Sequence, residues 1–320
     1  VSAYANLFAP EVGDSHKYLR EVDFQFSDTE TCVRLDQDMD GDDVYIIQSR
    51  YDPSATHRVD PNFMALFIAV RTAKEWGASA VTAILPYLAY LRQEKPSLWK
   101  REPASARLMA DLCISAGVNR ILTWHPHAAV VPAFYSPTPV TVLDPHAWFV
   151  SQLAHLKAER ELVVIAPDAG AAKLAKRLGA DLGVATAVAA KHRPMADEAE
   201  ILSLTGEDQG ADCAVVVDDM VMTAGTATGV IDKLAEEAGI REAHLIVSHN
   251  LSVERAVRRL SRLHAAGILR EFTVTNSIPQ TTAAQGMSFL RVEDISAQFA
   301  WAIHQIHHGL PLPQPTPLQY

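Results

Sequence analysis

The run Val215–Gly229, VVVDDMVMTAGTATG, constrains this chain more than any other stretch. Three consecutive valines without polar alternation predict a strand buried on both faces, the kind a parallel sheet supplies. Asp218 and Asp219 fall where that strand ends, and Thr223, Ala224, Gly225 and Thr226 follow as a tight small-residue turn. A helix is expected next, through Val230, Ile231 and Leu234. Strand, turn and helix N-terminus together make an anion pocket, because free backbone N–H groups and the helix dipole point at one spot. Thr223 and Thr226 add hydroxyl donors, and Gly225 is expected to let the backbone approach the anion closely. Carboxylates beside such a pocket call for a ligand that also carries hydroxyls. A sugar phosphate meets both demands; the alternative is a buried strand ending in solvated acids.

The chain has 320 residues, 48% of them hydrophobic, enough for a sizeable core and two domains. A net charge of −10 with no basic cluster argues against nucleic acid as a partner, while leaving local phosphate pockets open. Cys32, Cys113 and Cys213 are isolated, so neither a CxxC zinc site nor a disulfide framework is expected, and a cytoplasmic location is the simplest. The first twenty residues lack a basic segment followed by an apolar run, and no long apolar stretch suggests a membrane span. No P-loop, Gly-x-Gly-x-x-Gly run or HExxH pair occurs.

Read in order, the chain predicts a strand at Asn6–Pro10, a helix at Ser15–Val22, a strand around Val33 and Leu35, and a buried strand at Asp43–Ser49. Arg50–Pro61 reads as a loop, and Phe63, Leu66, Phe67, Val70 and Ala73 keep helical spacing up to Gly77. Strands at Ala80–Pro86, Arg120–Trp124 and Val140–Leu143 surround a polar segment, Tyr87–Arg101, and a helix at Ala104–Ala116. From Pro145 the pattern restarts: helix Phe149–Leu156, strand Leu162–Ala166, helix Ala171–Leu178 and strand Ala185–Ala190. Strands at His244–Ser248 and Phe272–Thr275 and a closing helix at Ile295–His308 complete it. Alternation of this kind means α/β domains with mostly parallel sheets. The two halves, 1–145 and 146–320, read as topological copies, with Ile46-Ile47-Gln48-Ser49 answering Val216-Val217-Asp218-Asp219. Gln48 and Ser49 replace the acids in the first copy, so only the second can grip a sugar phosphate in this way.

The Val215–Gly229 stretch resembles the phosphoribosyl diphosphate (PRPP) loop of type I phosphoribosyltransferases and of ribose-phosphate diphosphokinases. FSDTE (Phe26–Glu30), PYLAYLRQEK (Pro86–Lys95), REPASARLMADL (Arg101–Leu112), APDAGA (Ala166–Ala171), VAAKHRP (Val188–Pro194) and VTNSIPQ (Val274–Gln280) occur in the order found in the diphosphokinases. That resemblance spans nearly the whole chain and implies two tandem phosphoribosyltransferase-like domains, the first on the ATP side. It implies transfer of the diphosphoryl group of ATP to the C1 hydroxyl of ribose 5-phosphate, giving PRPP and AMP. It also implies a homo-oligomer built from dimers, such as a hexamer. Alternatives are a catalytically silent relative that regulates active subunits, and a phosphoribosyltransferase that consumes PRPP.

Lys191 and Arg193 flank His192 after a strand, and two cations on one side of a segment can close on a polyphosphate. The family carries its catalytic Lys and Arg at these places; a lone KxR is otherwise a solvated pair. Arg92 and Gln93 match residues that hold the triphosphate and adenine. Phe26, Asp28, Thr29 and Glu30 match the segment that reaches the ATP base, in that family from a neighbouring subunit. A core Phe beside two exposed acids is the plainer alternative. The resemblance marks His127 and Asp168 as partners of magnesium, and Asp218, Asp219 and the segment from Met222 to Thr226 as the ribose 5-phosphate site. Magnesium prefers oxygen ligands, so His127 together with the neighbouring His125 would also suit manganese. His127 as a satisfied histidine at a strand end is the other reading. Three departures stand out: Met222 replaces an Asp common in the family, His125 another, and His192 an Arg.

Overall fold

A computed structural model describes residues 22–49, 59–97, 99–195, 198–206, 210–237, 239–251 and 253–312, with backbone alone over 190–206. The chain divides into two compact units, one reaching to Asp144 and resuming at Asp294, the other Pro145–Glu293. The strand expected at Asn6–Pro10, the helix at Ser15–Val22 save its last residue, and most of the loop before Pro61 lie outside the described residues.

In the first unit a hairpin, β1 (Asp23–Gln25) and β2 (Thr31–Val33), accompanies a four-stranded parallel sheet. The sheet runs β3 (Asp43–Ile47), β4 (Ala80–Leu85), β5 (Arg120–Trp124), β6 (Val140–Leu143) in that spatial order. The helix Val59–Glu75 joins β3 to β4, Ser105–Ala116 joins β4 to β5, and the short Val131–Tyr135 joins β5 to β6. Pro61 lies inside the first turn of Val59–Glu75, where its missing N–H removes no helical bond. The core lies between the sheet and the inward stripes of these helices, with Leu66, Val70, Ala110, Cys113, Ala83 and Ile121 essentially inaccessible. Part of the segment expected to be polar, Tyr87–Arg101, is anchored instead. Tyr87, Leu88, Ala89 and Leu91 are buried.

The second unit has one seven-stranded sheet in the order β13-β12-β11-β10-β7-β8-β9. Its members are β7 (Leu162–Ala166), β8 (Ala185–Met195), β9 (Glu198–Gly206), β10 (Cys213–Val221), β11 (Glu242–Asn250), β12 (Leu269–Thr275) and β13 (Leu290–Glu293). Every pairing is parallel except the β8–β9 hairpin. β10 lies between β7 and β11, and Val215, Val216 and Val217 are each 0% exposed, as an unbroken apolar run requires. The helix Ala172–Leu182 rides close on the sheet at Gly179, where a Cβ would meet Thr186 Cγ2 at 2.1 Å.

Element order supports the repeat. After β3 and again after β10 the chain runs helix, strand, helix, strand, short helix, strand, and β10-β11-β12-β13 reproduces the spatial order β3-β4-β5-β6. The expected end of the second half differs. The helix Ser296–His307 belongs to the first unit, burying Phe299, Ala300, Ala302 and Ile303 and bringing His307 Nδ1 to 3.0 Å from Asp43 Oδ2. In return His146–Glu159, the helix after β6, packs in the second unit, with His146 Nε2 2.5 Å from Asp181 Oδ2.

Candidate active site

In a parallel sheet, ligands gather at the carboxyl ends of the strands, where loops leave and helix N-termini begin. Every residue marked above as a second-unit site residue lies at that edge. β10 delivers Asp218 and Asp219, and β7 delivers Asp168 two residues after its last member, Ala166. The pairing of Val216 with Ile165 sets these acids side by side. Asp219 N–H donates to Asp218 Oδ1 at 2.9 Å, and Gly170 N–H to Asp168 Oδ1 at 2.8 Å. Although Asp218 keeps some accessible surface, burial of its carboxyl, then the charges of Asp219 and Asp168, push it well above the usual carboxylate range. Three carboxylates thus share one electrostatic neighbourhood.

The turn that follows is strained at Ala224. Ala224 has φ 59, the left-handed region that costs an L side chain roughly 1–2 kcal/mol, while Gly225 begins the helix Gly225–Glu237. Buried contacts hold it there: Thr228 N–H and Thr228 Oγ1 both donate to Ala224 O, at 2.9 and 2.8 Å. Met222, Thr223 and Thr226 are half-buried around the same helix start.

Several supporting residues escaped the sequence reading. Arg259, on the helix Glu254–Ala265, donates Nη1–H to Thr223 O at 3.0 Å and so braces the turn while placing a cation behind it. Leu251 N–H donates to Val221 O at 2.8 Å. At the ends of β11 and β12, Asn250 Nδ2 donates to Gln280 Oε1 at 2.6 Å, His249 Nδ1 meets Ser277 Oγ at 2.8 Å, and Thr275 Oγ1 donates to Ser248 O at 2.6 Å. These groups are buried, and their bonds fix the Val274–Gln280 turn. Ser248, His249, Thr275 and Ser277 are joined across separations of 27 to 29 residues, which carry no periodic signal that a single sequence would reveal.

Lys191 and Arg193 belong to β8 itself rather than to a segment after it. β8 pairs with β7 only up to Val188 opposite Ala166, so Lys191 stands about 10 Å past the end of β7. There the β8–β9 hairpin continues alone, and its register shifts between Ala190 and Lys191 and again between His192 and Met195. Such irregularities bend the backbone of a strand locally.

In the first unit the same edge carries Gln48 and Ser49 after β3, Arg92 and Gln93 after β4, and His125 and His127 after β5. Arg92 and Gln93 are exposed on a 3-10 turn, Leu91–Gln93, entered through Tyr90 at φ 68. Tyr90 Oη donates to Asp60, which raises the Tyr90 phenol above its ordinary value and fixes the turn against the helix Val59–Glu75. His125 is left-handed (φ 39), turning the chain so that His127 is exposed. Phe26, Asp28, Thr29 and Glu30 form the β1–β2 turn. Phe26 N–H donates to Glu30 O, Thr29 N–H to Phe26 O and Glu30 N–H to Asp28 Oδ1, with Thr29 at φ 74. Asp28 therefore spends one oxygen on its own turn. Phe26 is no core residue: it is 50% exposed and packs edge-on against Phe24 at 5.3 Å.

Known proteins resemble the chain along most of its length. Residues 16–117 match a family model described as the N-terminal domain of ribose phosphate pyrophosphokinase. A ribose-phosphate pyrophosphokinase of Mycoplasma pneumoniae is 33% identical over 86% of this chain and 81% of its own length. One from Fusobacterium nucleatum is 32% identical over 88% and 85%. Among solved structures, phosphoribosylpyrophosphate synthetase from Mycobacterium smegmatis superposes with a TM-score of 0.80, covering 96% of each chain at 26% identity.

Proposed function

The chain belongs to the ribose-phosphate pyrophosphokinase family, and from that premise we propose that it moves the β,γ-diphosphoryl group of ATP onto the C1 hydroxyl of ribose 5-phosphate. The C1 hydroxyl gives up its proton to solvent, its oxygen bonds to the β-phosphorus, the bond from that phosphorus to the bridging oxygen breaks, and AMP leaves with that oxygen. The products are PRPP, a precursor in nucleotide biosynthesis, and AMP. The observation that carries this reading is the acid pair Asp218–Asp219 set against a strained anion turn at a helix N-terminus. A phosphate alone would be repelled by the acids; a ribose phosphate satisfies both.

In this reading Asp218 and Asp219 accept from ribose hydroxyls, and the backbone amides from Met222 to Thr226 hold the 5-phosphate at the start of Gly225–Glu237. Lys191 and Arg193 neutralise charge that builds on the transferred group. Arg92 and Gln93 hold ATP phosphates and adenine, while Phe26 offers an exposed ring for a base to stack on and Asp28, Thr29 and Glu30 offer its polar edge. His127 and Asp168 are assigned to a divalent cation, each within its own unit. The crowded oxygens of Asp168, Asp218 and Asp219 suit magnesium, with manganese as the alternative given the imidazole. When bound, such a cation shields the polyphosphate charge. The exposed aromatic tip of the β1–β2 hairpin supports a dimer-based homo-oligomer such as a hexamer, and three free cysteines suit a cytoplasmic location. No helix among the described residues is long and apolar enough to cross a membrane.

Release of AMP from ATP, measured with and without ribose 5-phosphate, tests the proposal. Release that depends on the sugar phosphate is expected. The departures at Met222, His125 and His192 favour a silent, regulatory relative as the second reading, and absence of AMP under both conditions would select it. Consumption of PRPP without ATP would instead indicate a phosphoribosyltransferase.

A further inference from the structure

At the opposite, amino-terminal end of the same central strands lies a second cluster of ligating groups. Cys213 opens β10 and Glu242 opens β11, and the two are direct partners in the parallel register. His244 follows Glu242 by two residues and so shares its face of the sheet. His244 Nε2 is 3.2 Å from Glu242 Oε1, and one ligand atom from each of Cys213, Glu242 and His244 lies within 4.8 Å of the others. From this geometry we propose that Cys213, Glu242 and His244 form a site for a borderline divalent cation of the zinc class.

The donor set decides the class of ion. A thiolate and an imidazole with one carboxylate suit zinc or cobalt, whereas magnesium takes oxygens almost exclusively. Zinc bonds of about 2.0–2.3 Å place tetrahedral ligand pairs roughly 3.5 Å apart. The histidine and glutamate already come near that spacing, and from within 4.8 Å Cys213 needs a movement of at most about 1.3 Å, within reach of a thiol's rotation. Glu242 is also divided in the required way. Its Oε1 faces His244, while its Oε2 accepts from Arg160 Nη2 at 3.3 Å, so one oxygen is left for the metal and the other is held from outside.

Charge favours occupation. Burial, then Glu242 and Asp212, push the Cys213 thiol up to about 12, so without a cation the thiol keeps its proton. A divalent ion reverses that balance: the same acids then favour it, the S–H bond breaks, sulfur keeps the electron pair as a ligand, and one proton passes to solvent. Cys213 is 0% exposed and His244 5%, so the ion enters on the side of the partly exposed Glu242, where a water completes the coordination. The site lies at the other end of β10 from Val221, about 26 Å away, and clasps the first residues of two central strands. Its effect is therefore on the stability of the second unit rather than on phosphoryl transfer.

The test uses the full chain with magnesium in excess, titrated with cobalt(II) as a spectroscopic stand-in for zinc. A thiolate-to-cobalt charge-transfer band with tetrahedral visible bands should grow to one equivalent, vanish on addition of zinc, and accompany release of one proton. Cys213→Ser should abolish the charge-transfer band. Glu242→Gln, at a partly exposed position that should fold normally, should weaken cobalt binding by about 10-fold or more, and Arg160→Ala by about 10-fold through the outer oxygen. Cys32→Ser should leave the band intact. Absence of the band in the parent protein, its survival in Cys213→Ser, or its loss in Cys32→Ser would each overturn the proposal.

Discussion

The ends of β3 and β10 occupy equivalent places in two copies of one strand–helix pattern, yet only β10 carries a pair of carboxylates there. β10 is central, flanked by β7 and β11, and its valines are inaccessible; β3 is paired only with β4 among the described strands, and Val44, Tyr45, Ile46 and Ile47 are half-buried. Burial on both sides gives β10 the rigidity to hold Ala224 at a left-handed φ and to crowd Asp218 against Asp219 and Asp168. The first copy has neutral Gln48 and Ser49 at the matching positions, so no such electrostatic tension arises there. What differs between the copies is the chemistry of two side chains and the depth of one strand, not the order of elements.

The largest expected effect comes from the β8–β9 hairpin beside the second copy. Lys191→Ala should lower kcat on the order of a thousandfold, by analogy with arginine fingers, while KM for both substrates changes only a few fold. Near-normal turnover, or a defect wholly in KM, would remove Lys191 from the transition state. Arg193→Ala is expected to raise KM for ribose 5-phosphate as well.

The comparison itself is tested next. Asp218→Ala and Asp219→Ala should each weaken ribose 5-phosphate by roughly 10–150-fold, the worth of a hydrogen bond to a charged group, and leave ATP affinity nearly unchanged. Gln48→Asp with Ser49→Asp should create no second sugar site in equilibrium binding. Equal loss of both ligands in the first pair of variants would mean that the acids shape the fold rather than read the sugar. His127→Ala should raise the metal concentration for half-maximal rate by about 10-fold, and an unchanged metal titration would take His127 out of the site.

Much of this contrast was legible in the sequence because it rests on local signals. An unbroken Val215–Val217 run, two acids at its end and small residues after it say strand, site and turn within fifteen positions. What escaped depends on distant partners. β9 and β13 were not foreseen, since Glu198–Gly206 becomes a strand only by pairing with β8, and Leu290–Glu293 is a short edge. The closing helix shows an apolar face in sequence, but nothing local tells which unit that face will cover. Arg259 reads as one of several arginines on a basic helix until it is found 36 residues from its partner. Arg259→Ala should raise KM for ribose 5-phosphate by about 3–10-fold, as expected for one lost hydrogen bond at a loop, with kcat little changed. A rise confined to ATP would show that the brace serves another purpose.

The smallest effect concerns stability, and its sign follows from Asp218 alone. Burial and two neighbouring acids hold its carboxyl well above its unfolded value of about 3.9, so over that interval the folded protein binds a proton that the unfolded chain has lost. Stability is therefore fully supported below the unfolded value and declines as pH rises through the folded one. Asp218→Asn cannot ionise and removes that decline. In the ligand-free protein, its Tm should equal that of the parent near pH 4 and exceed it at neutral pH, by about 2–4 °C for each kcal/mol recovered. Bound metal or sugar phosphate should narrow the gap, because either offsets the repulsion that Asn abolishes. Gln48→Asp provides the opposite control in the first copy: without neighbouring acids or deep burial, it should add no comparable slope. A Tm difference between Asp218→Asn and the parent that stays constant with pH would show that the tension at β10 lies in packing, and that the acid pair reaches neutral pH already fully ionised.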